Sequence, residues 1–490
     1  MSYVAGVERT QQVLFPESLD DYVGAENPVR FLDAFVASLD LARLGVQRAT
    51  PEALGRPPYD PGDLLRLYLY GYLHRLRSSR KLEQETHRNV ELMWLLRRLT
   101  PDHKTIADFR RDNPAALKAV CREFTLLCKQ LGLFGGELVA IDGSKFRAVN
   151  SKHRNVTPRE IERRLRRTEV HIAEYLTALE TADRAEAGTP ASTEAVGLAE
   201  KIAELRERQA TYTALQAEMH AAGETQRSLT DPDSRLMKAG MGVAVCYNAQ
   251  IAVDEKHKLI VTQAVTNDPT DRDWLSPMAT AANEVLETRD LQALTDRGYY
   301  NGPEIATCVK AGIMPVVPRP ETSGNAKHGL FTKADFNYDA ARDEYRCPAG
   351  ERLTYRGAYV DRTGSRQRRY ETRACGGCAL RAQCTRGTGP RRIIRWEKEA
   401  LLDAMSQRLK DHPDLRGQRQ LLVEHPFGTM KRGMDQGYFL MRGLVKVGGE
   451  FSLTVLAYNL KRVIKIVGVP QLLAAMRGRL PWPASAAATA

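Results

Sequence analysis

Short apolar segments with polar neighbours constrain the fold of this chain more than any other feature. These segments are 137–142, 242–253, 258–265, 291–295 and 313–317. A short, nearly continuous apolar run is typical of a buried strand. The second and third segments flank a polar turn at 254–257, which predicts an antiparallel hairpin, and a helix is predicted at 275–288. Strand, hairpin, helix and strand, with acids at strand ends, predict an α/β fold.

The rest of the chain divides into a helical domain, two insertions and a tail. Apolar residues at helical spacing predict a compact helical amino-terminal domain at 1–130, followed by the α/β domain at 131–470. Within the latter, residues 155–230 predict an inserted helical hairpin. Residues 320–396 lose the helical pattern and form a second, cysteine-bearing insertion. The tail, 471–490, is predicted to be disordered from 483 onward.

The charge of the chain favours a polyanionic partner. The 490 residues carry a formal charge of +12 with a pI near 9.3, and basic groups set against phosphate release condensed counterions. Eight basic residues face three acids between positions 66 and 98, with tyrosines interleaved. This basic face predicts contacts to the DNA backbone, although a solvated helix face has the same pattern. The candidate contacts are Arg75, Arg77, Arg80 and Lys81.

The sequence offers no membrane span and no export signal. No run of about 18 apolar residues is present, and the amino terminus lacks a basic region followed by an apolar one. We therefore expect a cytoplasmic protein with no membrane partner.

Three acids suggest metal-dependent chemistry on phosphodiesters. Asp142 and Asp296 each end an apolar segment and precede a glycine-containing turn, and Glu424 lies in a helical pattern. Two divalent ions about 4 Å apart can activate a nucleophilic oxygen and stabilise a leaving oxygen, and carboxylates are their preferred ligands. Taken singly, each aspartate is more typical of a turn and Glu424 of a helix surface, and only the combination favours a metal site.

Several motifs resemble those of one protein family. They are YDPGDLLRLYLYGYLHRLRSSRKLE (59–83), PDHKTIADFR (101–110), AIDGSKFRAVNSK (140–152), TDPDSRLM (230–237), TDRGYYNG (295–302) and VEHPFGTMKR (423–432). In this order the set resembles the DDE transposases of bacterial insertion sequences, in the group with a helical amino-terminal domain and a cysteine-bearing insertion. The resemblance implies a ribonuclease-H-like core in which Asp142, Asp296 and Glu424 hold two Mg²⁺ ions, or Mn²⁺.

The region around Glu424 matches the family signature only in part. Related transposases carry Tyr-x2-Arg-x3-Glu-x6-Lys, and Lys431 stands at the matching distance as a contact to terminal DNA. The Tyr and Arg positions are Gly417 and Gln420, so Arg419 is a candidate substitute one residue early. Arg432 belongs to a dense basic stretch that favours phosphate contact. Pro426 should kink or restart the helix that carries Glu424.

Four of the eight cysteines cluster in the second insertion. Cys347, Cys375, Cys378 and Cys384 have the spacing C-x27-C-x2-C-x5-C, which predicts either a structural Zn²⁺ site or free, redox-labile thiols. The other four lie in apolar stretches and are predicted to fill the core.

The resemblance implies an enzyme that cleaves the ends of an insertion sequence and joins them to target DNA. The implied partners are the terminal inverted repeats, the target DNA and a second copy of the chain, in a dimer or a higher assembly at the bacterial nucleoid. Two alternatives remain at this point. One is a ribonuclease-H-like nuclease that does not transfer strands, and the other is a catalytically silent, transposase-derived DNA-binding protein.

Overall fold

The computed structural model describes residues 17–50, 57–185, 193–240, 242–321 and 324–477. The Gly-Thr-Pro-Ala-Ser segment at 188–192, which is predicted to separate the two helices of the inserted hairpin, and the predicted disorder at 483–490 lie outside these residues. None of the helices within the described ranges is long and apolar enough to cross a membrane.

The amino-terminal part is helical because polar caps and helix-starting prolines alternate with amphipathic runs. The helices are α1 Pro28–Ala37, α2 Pro61–Leu73, α3 Ser79–Thr86, α4 Val90–Leu95, α5 His103–Asp112 and α6 Pro114–Gln130. Asn27 and Asp60 accept hydrogen bonds from the first backbone N–H groups of α1 and α2, each ahead of a proline at the first helical position.

A mixed sheet forms the centre of the molecule. Its strands are β1 Leu138–Arg147, β4 Arg235–Ala239, β5 Gly242–Asp254, β6 Ile260–Thr266, β7 Gln292–Leu294 and β8 Met314–Val316. β5 pairs antiparallel with β1, and β4 and β6 pair antiparallel with successive parts of β5. On the other side of β1, β7 and β8 follow in parallel. The helices α9 Leu275–Leu286 and α10 Gly302–Lys310 connect β6, β7 and β8. The α/β prediction and the predicted hairpin are confirmed.

One local prediction in the central sheet is wrong. Asp142 does not end a strand, because β1 continues through the predicted Asp-Gly-Ser-Lys turn to Arg147. These polar residues stay in the strand because each is paired in register with β5, where Asn248 and Gln250 are also polar. A change from apolar to polar residues therefore marks a change of environment along β1, and the strand itself does not end there.

The first insertion contains two long helices. β2 Asn155–Val156 and β3 Arg227–Ser228 pair at its base, and between them lie α7 Pro158–Ala185 and α8 Thr193–Ala221. The helices pack through Ile161, Leu165, Tyr212 and Met219.

The second insertion is a separate antiparallel sheet in the order β13-β12-β11-β10-β9. Its strands are β9 Asn337–Asp339, β10 Glu344–Arg346, β11 Arg352–Val360, β12 Arg366–Glu371 and β13 Arg392–Trp396, with the short helices α11 Gly324–Lys327 and α12 Arg381–Cys384. Phe336, Tyr345, Leu353, Tyr370 and Ile393 form its own small core. The sequence predicts only a loss of pattern here, because short strands with polar outer faces give a weak periodic signal.

The carboxy-terminal helices join the amino-terminal ones in one core. They are α13 Glu399–Asp411, α14 Leu415–Gly428, α15 Leu444–Val467 and α16 Val469–Arg477. α15 packs on α6 and α2, and α16 packs on α1. One buried cluster runs from Val23 to Leu472, so no gap in packing falls near residue 130. Residues 471–477, predicted to begin a tail, form most of α16 because Leu472 is buried.

Candidate active site

Asp142 and Asp296 lie near each other, Asp142 on the central strand β1 and Asp296 just after the neighbouring strand β7. β1 and β7 pair in parallel with Ala140 opposite Leu294. Asp142 and Asp296 each follow this last pair of β1 and β7 by two residues. The charge of Asp296 contributes to the raised pKa of Asp142, as expected for neighbours. The structure therefore brings together two of the three predicted acids.

The environment of Asp142 disfavours its ionised form. Burial raises the pKa of Asp142 to about 6, Arg419 opposes this, and the charges of Asp296 and Asp271 add to it. Oδ2 of Asp142 accepts a hydrogen bond of 3.2 Å from Nη1 of Arg419, and Oδ1 accepts one of 2.8 Å from the backbone N–H of Gly143. Arg419 thus supplies the positive charge nearest to this carboxylate.

Asp296 begins a tight turn beside an open cleft. Its Oδ1 accepts a hydrogen bond of 2.7 Å from the N–H of Gly298, as a turn-forming aspartate does. A cavity of about 310 Å³ lies next to it, between the ends of β7 and β8 and the start of α14. Arg297, Arg416 and Arg419 line this cavity. Three guanidinium groups beside two carboxylates form a site that can hold phosphate next to acidic groups.

Glu424 lies on the same helix as Arg419 but on a different side. It is exposed on α14, and its Oε1 accepts a hydrogen bond of 2.6 Å from Nε2 of Gln420. Five helical residues separate it from Arg419, which is a rotation of about 140° around the helix axis. Because Arg419 faces Asp142, Glu424 faces away from the aspartate pair. Across the described ranges, no group of three or more His, Cys, Asp or Glu side chains is arranged to hold a metal ion.

The helix around Glu424 does not break at its proline. The sequence predicts a kink or restart at Pro426, yet α14 runs through Pro426 to Gly428 and then widens into a π-turn at Thr429–Gly433. A hydrogen bond of 2.8 Å from the N–H of Met434 to the carbonyl of Thr429 closes that turn. The π-turn carries Lys431 and Arg432 to the far end of β1.

Lys431 reaches the site from this π-turn. Its Nζ donates hydrogen bonds to Oγ of Ser144 (2.6 Å) and to the carbonyl of Lys145 (2.8 Å), and it lies 4.7 Å from the ring centre of Phe146. Burial lowers the pKa of Lys431 to about 8. Lys431 therefore contacts the strand of Asp142, two positions further along it, whereas Arg432 is exposed.

A partly buried polar network around Asp271, beside Gly143 and Lys145 of β1, was not predicted from the sequence. Asp271 accepts hydrogen bonds of 2.6 Å from Asn248 Nδ2 and from Gln250 Nε2. Gln250 in turn accepts a hydrogen bond from the hydroxyl of Tyr299. A Cβ on Gly143 would lie 2.4 Å from Asp271 Oδ1, so only glycine allows this approach. The available signal was the pair of amides at alternate positions of the otherwise apolar β5.

The predicted DNA contacts of the amino-terminal domain separate into two kinds. Arg77 is only 5% exposed, forms an ion pair with the fully buried Glu450, and donates hydrogen bonds to the carbonyls of Tyr438 (2.7 Å) and Asp435 (3.1 Å). It is therefore structural, and its prediction as a DNA contact is wrong. Arg75, Arg80 and Lys81 are exposed and have no ion-pair partner within the described ranges. The interleaved tyrosines at 68, 70 and 72 are buried in the core.

The four clustered cysteines surround one small apolar cavity of about 20 Å³ beside the second sheet. Burial raises the pKa of the Cys384 thiol, Arg391 lowers it, and Cys375, Cys347 and Cys378 raise it further, so the four sulfurs are near neighbours. Their arrangement is nevertheless not that of a metal site among the residues described. The remaining cysteines, at 121, 128, 246 and 308, are buried as predicted.

Comparisons with known proteins identify domains at both ends of the chain. Residues 17–112 match the family described as Transposase domain (DUF772), and residues 346–464 match the family described as Transposase DDE domain. Each match covers less than half of the chain. A search for similar sequences among curated proteins finds no match.

Among solved structures, a cryo-EM structure of the piggyBac transposase synaptic complex with hairpin DNA is similar at 8% sequence identity. The alignment covers 94% of this chain and 77% of that chain, with a TM-score of 0.31. A score this low does not establish a common fold. The two family matches, in the order that the motifs imply, support a DDE transposase of the insertion-sequence type, a family of enzymes that cleave DNA and transfer its strands.

Proposed function

We propose that Asp142, Asp296 and Glu424 are the catalytic acids and that they hold two Mg²⁺ ions, or Mn²⁺, during cleavage of the element ends. The observation that carries this proposal is the parallel pairing of β1 and β7, because Asp142 and Asp296 each follow its last pair by two residues and the charge of Asp296 acts on Asp142. Their carboxylate oxygens are the ligands that hard divalent ions prefer. Bound there, the ions would activate the attacking oxygen and stabilise the leaving one.

The order of the central strands supports a ribonuclease-H-like core. Three consecutive antiparallel strands (β1, β5, β6) are followed by two parallel strands (β7, β8) on the other side of β1. This order resembles that of the ribonuclease-H-like sheet, with the first acid on its first strand and the second acid just after its fourth. β4, β2, β3 and the α7–α8 hairpin are then additions between the first and second strands.

Glu424 can join the aspartate pair only if α14 turns about its axis. Arg419 now occupies the position beside Asp142, and a turn of about 140° would exchange it for Glu424. The π-turn at Thr429–Gly433 holds one extra residue per turn, so its conversion to a regular α-turn would rotate the preceding helix by roughly 100°. We propose that binding of DNA and metal drives this exchange and frees Arg419 to contact phosphate.

Basic residues next to the acids would position the DNA. Lys431, held by Ser144, lies where it can contact the terminal phosphate, and Arg297, Arg416 and Arg419 line the adjoining cavity. The helical domain at 1–130, through Arg75, Arg80 and Lys81, would grip the terminal inverted repeats. Because two ends are cut together, we expect a dimer or larger assembly on DNA at the bacterial nucleoid.

The decisive experiment compares four single substitutions in one cleavage assay. Asp142→Ala, Asp296→Ala and Glu424→Ala should each abolish Mg²⁺-dependent cleavage of labelled element ends while end binding remains. Asp271→Asn is the matched control, because it alters an acid near the pair that the proposal does not use. Electron paramagnetic resonance of added Mn²⁺ provides a second readout. If Glu424→Ala cleaved DNA as well as the wild type and Asp271→Asn did not cleave, the third metal-binding acid would be Asp271 and not Glu424.

The cysteine cluster is proposed as a structural Zn²⁺ site. The thiols of Cys347, Cys375, Cys378 and Cys384 share one cavity, and thiolates are the ligands that structural zinc prefers. The ion would hold α12 and the turn before it against the second sheet. Purified protein should contain one zinc per chain by mass spectrometry, and Cys378→Ser with Cys384→Ser should lose it. Metal-free wild-type protein with four titratable thiols would contradict the proposal.

A further inference from the structure

The second sheet carries most of the excess positive charge of the chain. Residues 337–396 contain fourteen arginines and no lysine against six acids, a net charge of +8 out of +12 for the whole chain. This segment is about an eighth of the sequence. A charge density of this kind, confined to one small sheet, requires a physical explanation beyond solubility.

The arginines do not all serve the internal structure of the sheet. Arg368 pairs with Asp343, Arg392 with Glu371, and Arg395 with Asp403. Within the described residues, seven arginines have no ion pair and no side-chain hydrogen bond: Arg342, Arg346, Arg356, Arg362, Arg369, Arg373 and Arg386. Six of these seven are exposed and therefore available to a partner, whereas the Nε of Arg369 is buried.

The pairing of the strands concentrates arginines on the outer face. Tyr345 and Leu353 are buried in the small core, so their neighbours Arg346 and Arg352 point to the opposite face. Arg346 and Arg352 stand directly opposite each other in register, and both are exposed. Arg352 lies 3.6 Å from the carboxylate of Glu344, whereas Arg346 has no ion pair within the described residues. Like charges directly opposite on neighbouring strands destabilise a sheet. Glu344 therefore balances one of the two charges, and the pair keeps a net positive charge on this face.

A groove continues this basic surface on the same side. Its lining includes Arg356, Arg373 and Arg381 with a single acid, Glu371, and its volume is about 430 Å³. Glu371 is paired with Arg392 across β12 and β13, so its charge is already balanced. The backbone carbonyls of Cys375 and residues 387–389 hold Arg381, whereas Arg356 and Arg373 are exposed.

We propose that this face, defined by Arg346, Arg352, Arg356 and Arg373, binds the phosphate backbone of duplex DNA. Guanidinium groups match phosphate in a planar, bidentate geometry that lysine does not offer, which accounts for the exclusive use of arginine. The proposal rests on the transposase function but not on the identity of the catalytic acids. Trp396, at the end of β13, packs on Gly302 of α10, so the sheet is anchored beside the element that follows Asp296.

The test measures how the affinity of full-length protein for DNA depends on salt. The probe is a duplex of arbitrary sequence, followed by fluorescence anisotropy in EDTA at several KCl concentrations. The test variant is Arg346→Gln/Arg352→Gln/Arg373→Gln. The matched control, Arg342→Gln/Arg362→Gln/Arg386→Gln, removes the same charge from exposed, unpaired arginines outside the outer face. The slope of log affinity against log salt should fall by about 2 to 3 in the test variant and by no more than about 1 in the control.

Two further measurements keep the outcome interpretable. A triple Arg→Lys variant of the same face should retain the slope, which a merely misfolded sheet would not do. Equal slopes in test and control variants would overturn the proposal. So would a change in the mass of the DNA-free assembly in the test variant alone, because the face would then be an interface between copies. Asp142→Ala should keep the wild-type slope, so failure here is distinct from failure of the catalytic assignment.

Discussion

The ionised side chain of Asp142 should lower the free energy of unfolding of the metal-free protein. The Asp142→Asn variant should measure how large this loss is. Burial and the neighbouring carboxylates raise the pKa of Asp142 from 3.8 to about 6. A difference of this size corresponds to about 3 kcal/mol at pH values above both figures. Asparagine resembles the protonated acid in shape and carries no charge. Asp142→Asn should therefore stabilise the metal-free protein by about 2 to 3 kcal/mol at pH 8.

The sign of the pH dependence follows from the raised pKa. The folded protein binds the proton of Asp142 more tightly than the unfolded chain, so wild-type stability falls as pH rises from about 4 to about 6. The Asp142→Asn variant lacks this pH-dependent loss of stability. The difference between the two proteins should be roughly half as large at pH 5 as at pH 8. For a chain of 490 residues, the gain at pH 8 amounts to a rise of about 2 to 3 °C in Tm.

The assay is thermal unfolding in EDTA across pH 5 to 8, repeated with Mg²⁺ or Mn²⁺. Added metal should stabilise wild-type protein and reverse the order, because only the carboxylate binds it. Asp290→Asn is the matched control, since Asp290 is exposed and its left-handed backbone (φ 58°) is one that asparagine accepts. A variant less stable than wild type in EDTA at pH 8, or a difference that does not change with pH, would refute the reasoning.

Other substitutions test the packing and the basic groups of the site. Arg77→Met should cost about 3 to 5 kcal/mol in thermal or urea unfolding, because it leaves Glu450 charged and buried, and a loss below about 1 kcal/mol would contradict this. Gly449→Ala should cost about 1 to 3 kcal/mol, since its Cβ would lie 2.5 Å from the backbone of α6. Gly448→Ala, with open space around it, should be neutral or stabilising in the same assay. Because the pKa of Lys431 is about 8, the salt slope of end binding should fall by about 1 between pH 7 and pH 9. The Lys431→Arg variant should keep the same salt slope of end binding between pH 7 and pH 9, because arginine stays charged.

The central sheet could be predicted because its strands are short, apolar and flanked by turns. Each predicted strand of this sheet has its counterpart within a few residues, and the hairpin pairs as expected. What the sequence could not provide was the continuation of β1 beyond Asp142. Its polar half is stabilised by pairing with Asn248 and Gln250 on β5, about a hundred residues away. Local periodicity carries no information about such a partner.

The residue types of the candidate site could be predicted from the sequence, but the direction in which each side chain points could not. The spacing from Glu424 to Lys431 can be read from the sequence. It identified Lys431 as a site residue, and in the structure Lys431 contacts Ser144, two residues after Asp142. The side of α14 that faces the sheet depends on tertiary packing, and Arg419 takes that place in the structure. A helix turns 100° per residue, so a shift of one position in the signature arginine changes which side chain meets the acids.

The buried pair of Arg77 and Glu450 links the amino-terminal helices to the loop beside β1, the strand that carries Asp142. Glu450 accepts hydrogen bonds from the N–H groups of Leu440 and Met441, and Arg77 binds two carbonyls of the same loop. That loop also bonds to Arg147 at the end of β1, and it begins just after the π-turn that carries Lys431. Since this loop is fixed from both sides, the helices cannot shift without moving it. DNA bound, as proposed, at the exposed basic residues around position 77 would therefore be presented to Asp142 in a fixed orientation, which a flexible tether between two separate domains could not provide.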